Sequence, residues 1–383
     1  MAVSLLQRRK LVVPTGFGWW IVFLVAVAGS ALSLERFGQL SFFSLRAAWY
    51  LSATVFAVYL LNGGAGITVW RIIRAFTYYW MATVAGGYLA YVLGDFSFQS
   101  PLGYLLPGFL QDNEAIGVTL NPSFADTQEF LGFPVPRSKA PFSFTNGWGS
   151  MMALLTPFAL MTLNDARVGI NQKLVRLMLF ASIVPIVTSL NRGLWLSLGA
   201  GVLYAILRSG RVTQVVGRIM VLLSIGIALF YITPLGDLVL ARLNSGHSDT
   251  DRTALATEAI RIGLERPIFG WGTTRTVAGL PAPLGTHGQL WNLIFVHGLV
   301  GLTGWAMAMF TFFKTTLHPV NRIGLWAHTV IFMSGIQVFF YLQVPEQLFT
   351  VLGALVVAIR IKELGNDRPE VVEIESKELT KVS

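Results

Sequence analysis

Three side chains able to do chemistry sit where a largely apolar chain must make room for them. Arg252 follows Asp249-Thr250-Asp251, a carboxylate cap, at the head of a helix that the pattern carries to Pro267. At 100° per residue, Leu255, Ala259 and Ile262 share one side of this helix. Glu258, Arg261 and Glu265 share another, with Arg261 and Glu265 at i,i+4 spacing. Arg252 falls in the middle of the apolar side. A guanidinium placed there costs free energy unless it meets a carboxylate, a phosphate or water. Asp237 as a partner, or a snorkelling course to water, is the structural alternative. Arg192 stands in Thr188-Ser189-Leu190-Asn191-Arg192-Gly193-Leu194-Trp195-Leu196, a tight turn between two apolar runs. Contact with lipid head groups competes there with a role in binding. His287, in Gly285-Thr286-His287-Gly288, opens another apolar run. Its ordinary pKa near 6.5 suits proton transfer, although a lone histidine more often serves structure. His297 lies deeper in the same helix and is turned off the face of His287.

The elements that must position these residues are membrane helices. The chain has 383 residues, 54% hydrophobic and only 12% charged, whereas a soluble domain carries about 25% charged residues. Its apolar residues come in runs long enough to span a bilayer, without the alternation of a barrel. Spans are expected at 17–34, 45–61, 75–94, 147–163, 174–190, 193–208, 219–236, 288–313, 323–342 and 346–361. With the N-terminus inside, the short inner loops are all basic, including Arg8-Arg9-Lys10, Arg71 and Arg74, and Arg208, Arg211 and Arg218. The expectation is an all-α polytopic integral membrane protein of about ten transmembrane helices, with both termini cytoplasmic. The embedded domain is 1–362, and 363–383 reads as a disordered cytoplasmic tail. An alternative for the first run is a cleaved signal peptide, which Trp19 and Trp20 as interfacial anchors argue against. Two extracytoplasmic loops, 95–146 and 237–287, are too long to be connectors, and both hold apolar and aromatic residues.

The net charge of +9 is explained by inner-loop clusters. No basic stripe with interleaved aromatics accompanies it, so nucleic acid is not an expected partner. Cysteine is absent, which removes disulfides and thiol chemistry. No His/Asp/Glu set has metal-ligand spacing, and no phosphate-binding loop, dinucleotide fingerprint or serine elbow is present. No cofactor or metal is expected.

Three stretches in order resemble the O-antigen ligase and O-antigen polymerase superfamily. These are the turn Asn191-Arg192-Gly193-Leu194-Trp195-Leu196, then Arg252 through Glu265-Arg266-Pro267-Ile268-Phe269-Gly270-Trp271-Gly272, then His287 through His297-Gly298-Leu299-Val300-Gly301. Asn146, in Phe144-Thr145-Asn146-Gly147, looks like the Asn that opens a span after the first outer loop in that family. The chain departs from the family in having about ten spans rather than twelve, and in the Gly after His287 where Asn or Ser is common. The resemblance implies a bacterial cytoplasmic-membrane glycosyltransferase with its site facing outside. It would move a glycan from a polyprenyl-diphosphate carrier to the hydroxyl of a glycan, lipid or protein acceptor, without a metal. It further implies that Arg192 and Arg252 bind the donor diphosphate, that His287 is the catalytic base, and that Asn146 supports them. A transporter or flippase for lipid-linked glycans is the rival reading, and a non-catalytic truncated relative the third. Transport is disfavoured because the span interiors hold no ionisable residues beyond His297 and His328.

Overall fold

The computed structural model describes residues 1, 5, 11–64, 66–105, 117–118, 120–130, 133–210, 236–237, 240–241 and 247–366. Within them the chain is predominantly helical. The helices are α1 (Phe17–Gly29, continued by a 3-10 turn Ser30–Ser33), α2 (Phe37–Leu61), α3 (Val69–Leu93) and the short α4 (Pro101–Leu105). A hairpin follows, β1 (Ala125–Phe130) and β2 (Phe133–Ser138), then α5 (Thr145–Asn164), α6 (Gln172–Thr188) and α7 (Arg192–Arg208). After α8 (His247–Gly263) come α9 (Gln289–Asn292), a π-turn (Leu293–His297), α10 (Gly298–Thr316), α11 (Arg322–Gln337) and α12 (Pro345–Asn366).

Local chemistry sets these starts. Thr68, Asn171, Asn191 and Asn321 each cap a helix, their side-chain oxygens accepting from backbone N–H groups of the first turn. Such caps satisfy donors that a helix end leaves unpaired. α5 is buried along almost its whole length and forms the centre of the bundle. It packs against α3, α7, α11 and α12, while α10 lies along α1. Trp20, Phe23, Trp80, Trp148 and Phe158 are fully enclosed in this single core.

The expected spans coincide with helix over most of their length, with 288–313 broken and 323–342 helical only to Gln337; of 219–236 only residue 236 is among the described residues. Two helical segments of the described residues, Phe37–Leu61 and Gln289–Thr316, are long and apolar enough to cross a membrane. α6 and α7 have 17 residues each and α11 has 16, short of a full span. α12 runs to Asn366, so the first residues of the expected tail are helical, and its remainder lies outside the described residues.

Three details differ from expectation. Segment 95–146, expected as an outer loop, contributes the β1–β2 hairpin, paired in antiparallel register from Ala125 with Ser138 to Phe130 with Phe133. Pro134 and Pro136 exclude helix in β2, and a two-stranded ribbon has free edges where proline is tolerated. The helix expected after Asp249-Thr250-Asp251 begins earlier, at His247, and ends at Gly263. The run from His287 is not one continuous α-helix. It opens into the π-turn and is interrupted at Gly298, whose φ is +67°. Carbonyls of the π-turn are taken up by the loop after α8: Trp271 N–H donates to Phe295 O and Gly272 N–H to Val296 O, both at 2.9 Å.

Candidate functional site

The turn before α7 is the most constrained piece of backbone. Leu190 has φ +50°, and it is the one non-glycine with positive φ among the described residues. A leucine in that conformation stores strain that the surroundings must hold. They do so with side chains. Asn191 Nδ2 donates to Thr145 O at 3.1 Å, Asn191 Oδ1 accepts from Leu194 N–H and from the Tyr341 hydroxyl, and Trp195 Nε1 donates to Ile186 O. Arg192 is the first residue of α7 and is half-buried. Gly193 makes the approach of Tyr341 possible, because a Cβ there would lie 2.5 Å from the Tyr341 hydroxyl and 2.8 Å from the Phe340 ring. Asn146 lies beside Thr145, whose carbonyl receives Asn191. Its own side chain makes no hydrogen bond among the described residues.

Arg252 is carried to the same place by α8. Leu255 and Ala259 are buried against Leu284, Phe295 and Val296, with Ile262 and Trp271 alongside, so the expected apolar face is the packed one. The opposite face carries Arg261 between Glu258 (2.8 Å) and Glu265 (3.7 Å). Arg252 therefore sits at the edge of the packed face. Among the described residues no carboxylate lies within ion-pairing distance of it, Asp237 included. Its charge instead acts on His287 and on Tyr341.

His287 is half-buried on the segment entering α9. Thr286 Oγ1 donates its one proton to Pro283 O at 2.6 Å, so at 2.8 Å from His287 Nδ1 it acts as acceptor. Neutral His287 then carries its proton on Nδ1 and presents the Nε2 lone pair. Burial first, and the Arg252 cation second, hold its pKa below the usual 6.5. It is a base at neutral pH. Gly288 has φ +86° and a Cβ there would meet Phe339 O at 2.7 Å, which accounts for glycine where the resembling family has Asn or Ser.

Two residues that pattern reading missed complete the cluster. Tyr341 lies between α11 and α12 and is 4% exposed. Its hydroxyl holds Asn191, and its carbonyl accepts from Gln289 N–H at 2.9 Å, linking the Arg192 turn to the His287 segment. Arg137 comes from β2 and is 5% exposed. Its Nε donates to Ser189 O at 3.1 Å and its Nη1 to Gln128 Oε1 at 2.9 Å. It is close enough to Tyr341, Arg252 and Arg192 to feel each electrostatically, and burial works against its charge. In the sequence Arg137 is one more basic residue of an outer loop, with no periodicity to mark it.

His297 is not part of this cluster. It is buried against Ser30, Phe23 and Tyr50. Among the described residues no group of three or more His, Asp or Glu side chains is placed to hold a metal ion. Arg266 (4.0 Å) and Arg275 (4.2 Å) each lie over the Trp271 ring, and both arginines reach Glu35 at the end of the first helical run. That cluster ties the loop after α8 to α1. Compared with known proteins, the chain matches no family model, no curated protein and no solved structure.

Proposed function

We propose that this chain is a polytopic membrane glycosyltransferase of the O-antigen ligase and polymerase type, crossing the bacterial cytoplasmic membrane about ten times. It transfers a glycan from a polyprenyl-diphosphate donor to an acceptor hydroxyl on the outer face. The observation that carries the reading is that Tyr341 bonds Asn191, next to Arg192, and Gln289, near His287, with Arg252 close enough to act on both Tyr341 and His287. The basic inner loops and the match between helices and apolar runs support the membrane arrangement.

The chemistry needs a base and a place for anionic charge. His287 Nε2 takes the proton of the acceptor hydroxyl as its oxygen attacks the anomeric carbon of the donor sugar. The bond from that carbon to the diphosphate oxygen breaks, and its electron pair leaves with the polyprenyl diphosphate. Negative charge grows on that leaving group, and Arg192 and Arg252 stabilise it by charge-assisted hydrogen bonds. Thr145, whose carbonyl receives Asn191, steadies the turn that holds Arg192, and Asn146 stands beside it. The test is reconstitution of the purified full chain with a lipid-linked oligosaccharide donor and extracted envelope acceptors. A donor-dependent mobility shift of glycan or acceptor is expected. Absence of transfer from every polyprenyl-linked donor offered, by protein that is folded, would refute the reading.

A further inference from the structure

α8 buries one face against Leu284, Phe295 and Val296, and along an adjoining flank it frames a groove with residues 277–280 of the loop that follows. The groove has a volume of about 920 Å³, within the range of roughly 300–1,000 Å³ that small-molecule sites occupy. Its two walls differ in kind. Val277 and Leu280 form the apolar wall, and both also pack on the cluster beneath α8, which holds that wall in place. Leu284 N–H donates to Arg275 O at 2.8 Å and closes the base of the same loop. The facing wall is polar and is made by Thr257, Glu258 and Arg261 of α8. Glu258 and Arg261 are paired at 2.8 Å, so the ions of this wall cancel, and Glu265 stands 3.7 Å from Arg261 as a second acid. An anionic ligand gains little from a guanidinium already held by carboxylates. A neutral polyol gains more. The pair keeps lone pairs and N–H groups to spare, an acceptor beside a donor, and the exposed Thr257 hydroxyl can act as either. Neighbouring hydroxyls of a sugar call for that alternation, and the C–H face of its ring calls for an apolar wall. The groove starts at Thr253, directly after Arg252, and its loop wall runs on through Leu284 to His287. Arg252 is in turn close enough to His287 for its charge to act on it.

We propose that this groove is the acceptor subsite, and that it takes a neutral, hydroxyl-rich glycan whose attacking hydroxyl is presented to His287. The inference rests on the transfer reading given above. It divides the two substrates by charge. The anionic carrier belongs to the arginines, and the neutral acceptor belongs to the flank of α8 and the loop that faces it. Acceptor recognition is thereby assigned to residues that take no part in the chemical step.

The experiment is steady-state transfer by the purified full chain, with the acceptor varied at saturating lipid-linked donor and then the donor varied at saturating acceptor. The probe is the neutral oligosaccharide of the envelope acceptor that wild type modifies. Thr257→Trp places a large ring in the groove from an exposed position. It should raise the acceptor KM by about tenfold or more and leave the donor KM and kcat near wild type. E258Q removes the charged acceptor of hydrogen bonds and should raise the acceptor KM about 2- to 13-fold, again with the donor KM unchanged. Glu265→Gln removes the partner of Arg261 that lies outside the groove, and its acceptor KM should stay within about twofold of wild type. Thermal melts of each variant establish that it is folded, and should Thr257→Trp not fold, E258Q decides alone. An acceptor KM unchanged in Thr257→Trp would overturn the subsite. So would an equal rise in donor and acceptor KM, since the groove would then support the fold rather than the acceptor. Absence of transfer by folded wild type would instead strike the transfer reading itself.

Discussion

Replacement of His287 by alanine tests the chemistry at its narrowest point. A base acting on the acceptor hydroxyl contributes about 10²- to 10⁴-fold in rate, and His287→Ala should lose that much transfer while still binding donor. The structure adds a second, smaller perturbation. Thr286 holds the Nδ1 proton through one hydrogen bond of 2.8 Å. Thr286→Val removes an interaction of about 0.5–1.5 kcal/mol, so about 2- to 13-fold in rate. The base-competent form is neutral, and its pKa is held below 6.5 by burial and by Arg252. The rate should therefore be level at neutral pH and fall on acidification, with a midpoint below 6.5. Removing the cation, as in Arg252→Gln, makes protonation easier, and the midpoint of the residual activity should move up. The assay is single-turnover transfer from a labelled lipid-linked donor across pH from about 5 to 8. Wild-type rates in His287→Ala would refute the assignment, as would an acid limb centred above 6.5.

Four further outcomes follow from the same geometry. Arg192→Lys and Arg252→Lys should each fail to restore transfer at normal protein levels, since a point charge does not reproduce a planar fork; full activity in both would remove the clamp. Gly193→Ala should lower the thermal midpoint by an overpacking cost of about 1–3 kcal/mol, because the new methyl meets the Tyr341 hydroxyl, and an unchanged melt would contradict that contact. The chain has no cysteine, so Ser209→Cys and Thr276→Cys can be labelled singly in intact cells; an impermeant reagent should reach Thr276→Cys alone, and labelling of both would end the proposed topology. Glu35 is held below the usual carboxylate range, by the hydrogen bond from Arg275 first. The difference in melting between wild type and Glu35→Gln should therefore be constant above pH 4.5 and vanish as pH falls through the lowered value.

The helices were legible because an apolar run of a given length has few other fates, and α8 because its two faces separate cleanly at 100° per residue. Arg252 and Arg192 were legible for the opposite reason, each breaking a pattern that its neighbours obey. Their relation to His287 was not legible from residues alone, since nothing local records that Tyr341 bonds both Asn191 and Gln289 and feels the charge of Arg252. Arg137 was invisible for a similar reason. It breaks no pattern, and its meaning arises only when Ser189 is brought against β2. The π-turn was hidden as well, because Leu293–His297 reads as ordinary helix and opens only to give its carbonyls to Trp271 and Gly272.

Tyr341 joins the Arg192 turn to the His287 segment, and it follows all but the last of the described helices. A chain that has emerged only as far as residue 300 carries Arg137, Arg192, Arg252 and His287 but not the Tyr341 that links the turn to the His287 segment. The step that ties this cluster together is thus the arrival of the segment between α11 and α12, late in biogenesis. The same layout implies that the protein can be divided. Fragments 1–320 and 321–383, made separately, should each be inactive and should regain function only when co-inserted, the second fragment acting as a keystone for the first.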